Sequence, residues 1–188
     1  MSPVPPAATA LPVPIKVELR PHDPQWAEQA CRVAGTLHAA LGDNLLQVHH
    51  IGSTAIPGIV AKPVLDLLPE VRSLAELDAC QRALQELGYA WRGELGLPGR
   101  RYCSLDDPDS GQRLVQLHCY AQGSPEIERH LAFADHLRQH PGIAQQYQQE
   151  KLRCQALHPG DSHAYSDCKD AWIQRVQAQA LAERQRNH

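Results

Sequence analysis

The segment at residues 49–66, HHIGSTAIPGIVAKPVLD, has the pattern of a strand, a loop and a second strand, and it is the predicted centre of the functional site. An apolar, strand-like run leads into the turn Gly52-Ser53, and a second apolar run carries a single carboxylate, Asp66. Glycine and serine at such a turn let backbone N–H groups and a hydroxyl approach phosphate oxygens closely. A carboxylate on the following strand can hold a divalent ion against those oxygens. On spacing alone, the same residues equally describe an ordinary turn followed by a buried aspartate.

The pattern outside this segment predicts an α+β protein. Asp23 and Pro24 open a helix that ends at Gly42, and the capping box that starts at Ser73 opens a second helix that ends at Gly88. From Ser124 onward the pattern is helical, with breaks near residues 141 and 159. The predicted strands are 16–19, 46–51, 64–68, 100–105 and 112–120, the last two forming a hairpin. Strands followed by helices, rather than strict alternation, indicate the α+β class.

Length and composition narrow the classes of protein. The 188 residues suit one domain, predicted here as residues 15–188, preceded by a disordered Pro/Ala-rich leader at residues 1–14. A net charge of −3 makes nucleic acid an unlikely partner, because nucleic-acid binders are usually basic. The sequence shows no apolar run long enough to span a membrane and no secretory signal, which predicts a cytoplasmic protein.

Cysteine and lysine usage give two further expectations. Six scattered cysteines without a C-x-x-C pair predict free thiols in a reducing compartment. Lysine occurs only at 16, 62, 151 and 169, against fourteen arginines. A lysine retained against that background indicates a need for a compact ammonium group rather than a planar guanidinium. The glutamine-rich stretch at 145–149 predicts only a solvated helix face.

Residues 50–58, HIGSTAIPG, followed by AKPVLD at 61–66, resemble the signature of the GrpB-like family. The similarity continues through Arg100-Arg101-Tyr102, Leu117-His118 and the segment at 123–133, and closes with Tyr165 and Lys169. It covers about residues 16–176. That family is assigned to the polymerase-β-type nucleotidyltransferase superfamily. The resemblance therefore implies a nucleotidyltransferase-like fold, a small mixed sheet flanked by helices with a helical C-terminal layer.

The resemblance also implies a metal site from which this sequence departs. The superfamily holds two ions with two carboxylates, two residues apart on one strand, and a third on a neighbouring strand. Asp66 fits the first position, but the second is Leu68 and the neighbouring-strand position is His118. Glu70 is no substitute, because four strand residues place it about 13 Å from Asp66. One carboxylate and one imidazole suit a single Mn²⁺ or Zn²⁺ better than a pair of Mg²⁺ ions.

Five more residues complete the predicted site. His49 and His50 point to opposite faces of their strand, and the resemblance favours His50. Lys62 is expected to direct its ammonium group into the Gly-Ser pocket, and Arg101, rather than Tyr102, is expected to bind phosphate through its guanidinium. Tyr165 and Lys169 share one helix face, because they lie four residues apart. A solvent-exposed or merely hydrogen-bonded role is the alternative for His50, Lys62 and the Tyr165–Lys169 pair.

Together these residues predict a protein that handles a nucleotide or another phosphorylated small molecule with a divalent metal, with nucleotidyl transfer as the candidate reaction. Gly52 and Ser53 would bind phosphate, Asp66 and His118 would hold the metal, and Lys62 and Arg101 would neutralise charge on the phosphoryl oxygens. The absence of a second carboxylate favours an alternative, a non-catalytic ligand-binding or regulatory protein on the same fold. Metal-dependent hydrolysis at a histidine site is a third reading.

Overall fold

A computed structural model describes residues 13–186, so most of the predicted leader lies outside the described residues. The sheet has five strands in the order β1-β2-β5-β4-β3, in which β2 and β5 are parallel and the other neighbours antiparallel. The strands are β1 (Leu45–Ile51), β2 (Leu65–Val71), β3 (Ala90–Trp91), β4 (Arg100–Asp106) and β5 (Arg113–Ala121). The α+β class and the small mixed sheet are therefore confirmed.

Six helices cover the two faces of this sheet. They are α1 (Gln25–Leu41), α2 (Leu74–Ala79), α3 (Gln81–Glu86), α4 (Pro125–Gln139), α5 (Pro141–Leu157) and α6 (Ser162–Arg186). The first three pack on one face around the main apolar core, which includes Leu37, Leu67, Leu84 and Leu117. On the other face α4 packs against the sheet, and α5 and α6 pack with α4, which confirms the helical C-terminal layer. In the part of the chain that the structure describes, no helix is long and apolar enough to cross a membrane.

Capping residues and glycines in the sequence predicted most of the helix ends correctly. The side chain of Asp23 accepts a hydrogen bond from the backbone N–H of Gln25, and α1 ends at Leu41 before Gly42. Ser73 accepts from the backbone N–H of Glu76, as the capping box predicts. The helix that it opens is nevertheless divided into α2 and α3, because Cys80 leaves the helical region with φ −88° and ψ 4°.

Two expectations about the fold are wrong. Residues 16–19 form no strand, because Val17 is buried against Cys154 and Tyr165 of the helical layer instead of pairing with the sheet. The only ladder contact nearby, among the described residues, is an isolated bridge between Arg20 and Ala61. Free thiols were expected throughout, but Cys154 of α5 and Cys168 of α6 form a disulfide. Helix packing brings their Cα atoms to 5.8 Å, a proximity that sequence spacing does not reveal.

Candidate functional site

Four polar residues of the sheet face the helical C-terminal layer. Asp66 on β2 lies beside Gln116 on β5, and Tyr102 on β4 lies opposite His118 on β5. Because side chains alternate between the faces of a strand, these four share one face, while their neighbours Leu67, Leu117 and Cys119 enter the apolar core. His118 Nε2 lies 3.4 Å from Asp66 Oδ1, and the Tyr102 hydroxyl donates to Gln116 Oε1 at 2.6 Å.

The Gly-Ser turn passes directly over Asp66. Gly52 has φ +70°, and a Cβ atom at this position would lie 2.6 Å from Asp66 Oδ2. Glycine is therefore required here both by the backbone conformation and by the closeness of the carboxylate. The hydroxyl of Ser53 donates to that of Tyr147 on α5 at 3.4 Å. Arg138 of α4 holds the turn by donating to the carbonyl oxygens of His50 and Ala55.

A cavity of about 240 Å³ opens between this turn, the sheet and the C-terminal helices. Its lining includes Gly52, Ser53, Lys62, Asp66, Tyr165 and Lys169. The two lysine Nζ atoms lie 4.1 Å (Lys169) and 5.5 Å (Lys62) from the centroid of the Tyr165 ring. The structure therefore brings together six of the residues that the sequence analysis singled out, from four separate parts of the chain.

A third lysine lies immediately behind this cavity. Lys151 on α5 is 1% exposed, and its ammonium group donates to the backbone carbonyl of Val60. Its Nζ lies 4.7 Å from the centroid of the Tyr147 ring, and Tyr147 itself lines the cavity. Two of the four lysines in the chain thus line the cavity and a third lies behind it, whereas Lys16 is exposed and pairs with Glu18.

Burial and neighbouring charges shift the pKa values of this cluster. Burial lowers the pKa of all three lysines, that of Lys151 to about 7 and that of Lys169 to about 8, where repulsion from Lys62 adds to the effect. Burial alone would raise the pKa of Asp66, but His118, Lys62 and Lys169 favour the carboxylate and the net shift is downward. The cavity therefore pairs one carboxylate with several desolvated ammonium groups, an arrangement that favours an anionic ligand.

The residues present fit one divalent ion but not two. Asp66 Oδ1 and His118 Nε2, 3.4 Å apart, can both bind one ion. Leu68, at the second carboxylate position, is fully buried against Ile51, Tyr120 and Ile127. Where three or more ligand-type side chains meet among residues 13–186, they do so away from Asp66. An ion at Asp66 would therefore need phosphate oxygens as further ligands, as is common for Mg²⁺ in proteins.

Three of the predicted site residues do not line the cavity: His118 contacts Asp66 from beside it, whereas Arg101 and His50 lie away from it. Arg101 was expected to face it, but it points to the opposite face of the sheet, where its guanidinium binds Asp78 of α2 through both carboxylate oxygens at 2.5 and 2.8 Å. Tyr102 faces the site instead, because alternation allows only one of the two to do so. His50 lies opposite Leu67 in the register, on the face away from Asp66, and its Nε2 lies 2.9 Å from the Thr54 hydroxyl.

The side chains of His49 and Glu70 form a hydrogen bond with each other. His49 Nε2 lies 3.1 Å from Glu70 Oε2, so this carboxylate is engaged on the strand and does not reach Asp66. Burial, with the nearby Arg138 charge, lowers the pKa of His50 to about 4, so its imidazole is neutral at neutral pH. His50 therefore supports the turn through Thr54, one residue beyond Ser53, rather than lining the cavity.

Several residues at or behind the cavity escaped the sequence analysis, among them Gln116, Tyr147 and Lys151. Gln116 lies two residues before His118, so strand alternation could have identified it. Lys151 was flagged only by the scarcity of lysine. Tyr147 lies in the glutamine-rich stretch that was read as a solvated face, yet it is buried. Its neighbour Gln148 accepts a hydrogen bond from the backbone N–H of Val60, so this side of α5 is an interior surface.

Known proteins resemble the whole of this domain. A chain in the crystal structure of the conserved protein GrpB from Enterococcus faecalis superposes with a TM-score of 0.83 at 36% identity, covering 88% of this chain and 98% of that one. The YqkA protein of Bacillus subtilis is 39% identical over 88% of this chain, which spans 47% of the Bacillus protein. A protein of Mycolicibacterium paratuberculosis named dephospho-CoA kinase is 32% identical over 84% of this chain and 44% of its own length.

One protein-family profile matches nearly all of the residues that the structure describes. The sequence profile described as GrpB protein matches residues 16–179, from the segment before α1 to the second half of α6. That range contains the Gly-Ser turn, Asp66, His118 and the three lysines at or behind the cavity. The chain belongs to the GrpB family.

Proposed function

We propose that this protein binds the phosphate groups of a nucleotide or another phosphorylated small molecule in the cavity beneath the Gly-Ser turn. The observation that carries the proposal is that Lys62 and Lys169 line a cavity bordered by Gly52 and Ser53, with Lys151 buried behind Tyr147 in its wall. Buried ammonium groups are costly unless they are compensated by negative charge. Asp66 supplies one such charge, and a phosphate group would supply the remainder.

A single divalent ion fits this proposal as a companion of the phosphate. Asp66 and His118 would hold it, and Lys62 and Lys169 would contact phosphate oxygens that lie beyond it. The metal would supply charge neutralisation at those oxygens. Because ammonium groups outnumber carboxylates around the cavity, we expect a bare divalent cation to bind weakly and to bind better in complex with a polyphosphate. Mn²⁺ and Zn²⁺ remain the favoured metals, because one ligand is an imidazole.

Nucleotidyl transfer is the reaction that the superfamily resemblance implies, and Lys62 would neutralise charge that develops on the transferred phosphoryl group. The relative named dephospho-CoA kinase fits a role in the chemistry of phosphorylated ligands, although the similarity covers less than half of that protein. The burial of Leu68 favours the second candidate, a non-catalytic ligand-binding or regulatory protein. We therefore expect little Mg²⁺-dependent transfer, whichever acceptor is supplied.

The closeness of Gly52 to Asp66 provides the test. Gly52→Ala places a Cβ atom against the carboxylate and should abolish the rise in melting temperature that ATP with Mn²⁺ produces in the unmodified protein. Gly35→Ala is the matched control, because Gly35 lies in α1, where an added methyl group would meet no other part of the fold within 4 Å. ATP stabilisation that survives Gly52→Ala would place the ligand elsewhere and reduce the turn to a structural element.

A further inference from the structure

A second group of ligand-type side chains lies where α4 meets α6. His136 lies in the last turn of α4 and His140 directly follows that helix, with their ring centroids 4.3 Å apart, and Glu183 reaches them from α6. One ligand atom from each residue lies within 4.8 Å of the other two. None of the three lines the cavity around Asp66, so the group is separate from the proposed phosphate site.

The hydrogen bonds of His140 prepare it to bind a metal. Its Nδ1 lies 2.8 Å from the backbone carbonyl oxygen of His136, and donation to that oxygen leaves the Nε2 lone pair free. Nε2 faces Glu183 Oε1 at 3.6 Å. Proteins commonly fix the tautomer of a metal-binding histidine by this kind of bond from its other ring nitrogen.

His136 and Glu183 complete the group. His136 Nδ1 lies 2.6 Å from Glu183 Oε2, and the centroids of the His136 and His140 rings are 4.3 Å apart. His136 Nε2 is buried and has no hydrogen-bond partner within residues 13–186. Because Nδ1 is the ring nitrogen that faces Glu183, it is the one that would bind an ion, and the unpartnered Nε2 marks the place of a water molecule.

The three side chains differ in their exposure to solvent. The His136 side chain is 8% exposed, whereas those of His140 and Glu183 are 37% and 35% exposed. A cavity of about 190 Å³ borders His136 and Glu183. The group therefore combines a buried anchor with two ligands that an ion can reach from solvent, and it leaves space for a water molecule as a further ligand.

We propose that His136, His140 and Glu183 bind one transition-metal ion of the zinc class and thereby tie α4 to α6. Two imidazoles and one carboxylate suit Zn²⁺ or Co²⁺, whereas Mg²⁺ and Ca²⁺ prefer oxygen ligands. Bonds of about 2.0–2.2 Å place tetrahedral ligands roughly 3.4 Å apart, so side-chain rotation alone can close the site. Three protein ligands leave a fourth position for water.

The test uses Co²⁺, whose visible absorption reports tetrahedral coordination, and Zn²⁺ in competition, with protein that carries no polyhistidine tag. An Asp66→Asn background removes the only carboxylate of the other candidate metal position. In that background we expect one bound Co²⁺ per chain, displaced by Zn²⁺. His140→Ala and Glu183→Gln should each weaken binding at least tenfold, and both positions are exposed enough for the fold to survive. His38→Ala, at an exposed histidine of α1, should change nothing.

The outcomes separate this site from the phosphate site. Co²⁺ that binds equally well with and without His140→Ala would overturn the proposal, as would the absence of stoichiometric binding in the Asp66→Asn background. In either case the three side chains form only a hydrogen-bonded cluster. Failure of ATP to bind at the Gly-Ser turn would leave the result unaffected, because no residue is shared between the two sites.

Discussion

The two faces of the sheet contrast in what they carry. The face toward α1–α3 is mostly apolar, with Leu65, Leu67 and Leu117 almost fully buried, although Arg101 binds Asp78 there. The face toward α4–α6 carries Asp66 and His118 together with an open cavity. Adjacent residues on one strand therefore have different roles. Those that face α1–α3 stabilise the fold, and those that face α4–α6 contribute charged groups to the cavity. Leu68 is the exception, because it lies on the polar face and yet belongs to an apolar cluster.

The largest effect on the free energy of unfolding is expected from substitutions of Leu68. Leu68→Asp would restore the second carboxylate of the superfamily pattern but bury a charge among Ile51, Tyr120 and Ile127. We expect a loss of several kcal/mol in the free energy of unfolding and little folded protein. Leu68→Met, which conserves volume, should cost less than about 1.5 kcal/mol. Urea denaturation compares the two variants, and a stable Leu68→Asp protein that binds Mg²⁺ tightly would show that the site can be rebuilt.

Substitutions at two neighbouring residues of β5 should affect stability and ligand binding differently. Leu117→Ala should cost about 2–5 kcal/mol of unfolding free energy and leave the dissociation constant for ATP unchanged, because Leu117 faces the core. Gln116→Ala should cost about 1 kcal/mol, since it removes the acceptor of the Tyr102 hydroxyl, and it should alter ATP affinity. Urea denaturation and calorimetric titration of both variants test this. Equal changes in affinity would mean that the two faces are not functionally distinct.

The buried lysines should make stability depend on pH. An unfolded lysine holds its proton up to about pH 10.5, whereas burial lowers the pKa of Lys151 in the fold to about 7. Between these values the unfolded state binds more protons, so stability rises with pH. We expect a rise of about 2 kcal/mol between about pH 7 and 9 from Lys151, with a further contribution from Lys169. Chemical denaturation across this range should show a smaller rise in Lys151→Met, while an identical rise would mean that Lys151 is not desolvated.

Sequence patterns predicted four of the five strands, the turn and most of the helices, because these depend on local periodicity, caps and glycine; the two-residue strand β3 was missed. The pairing of Asp66 with His118 also followed from alternation and the resemblance. What failed depended on long-range packing. The engagement of Arg101 with Asp78 requires the position of α2, and the disulfide requires the packing of α5 on α6. Lys151 could not be placed, because nothing local shows that the interior side of α5 faces the loop at Val60.

The central claim is that the charge of the lysine cluster binds phosphate. Calorimetric titration of pyrophosphate with Mn²⁺, at about pH 7, into the unmodified protein, Lys169→Met and Lys16→Met tests it most directly. Lys169 lines the cavity, whereas Lys16 is exposed and pairs with Glu18, so the two substitutions remove the same charge from different places. We expect Lys169→Met to weaken binding at least tenfold, about 1.4 kcal/mol, and Lys16→Met to have no effect. Equal affinity in all three proteins would contradict the account.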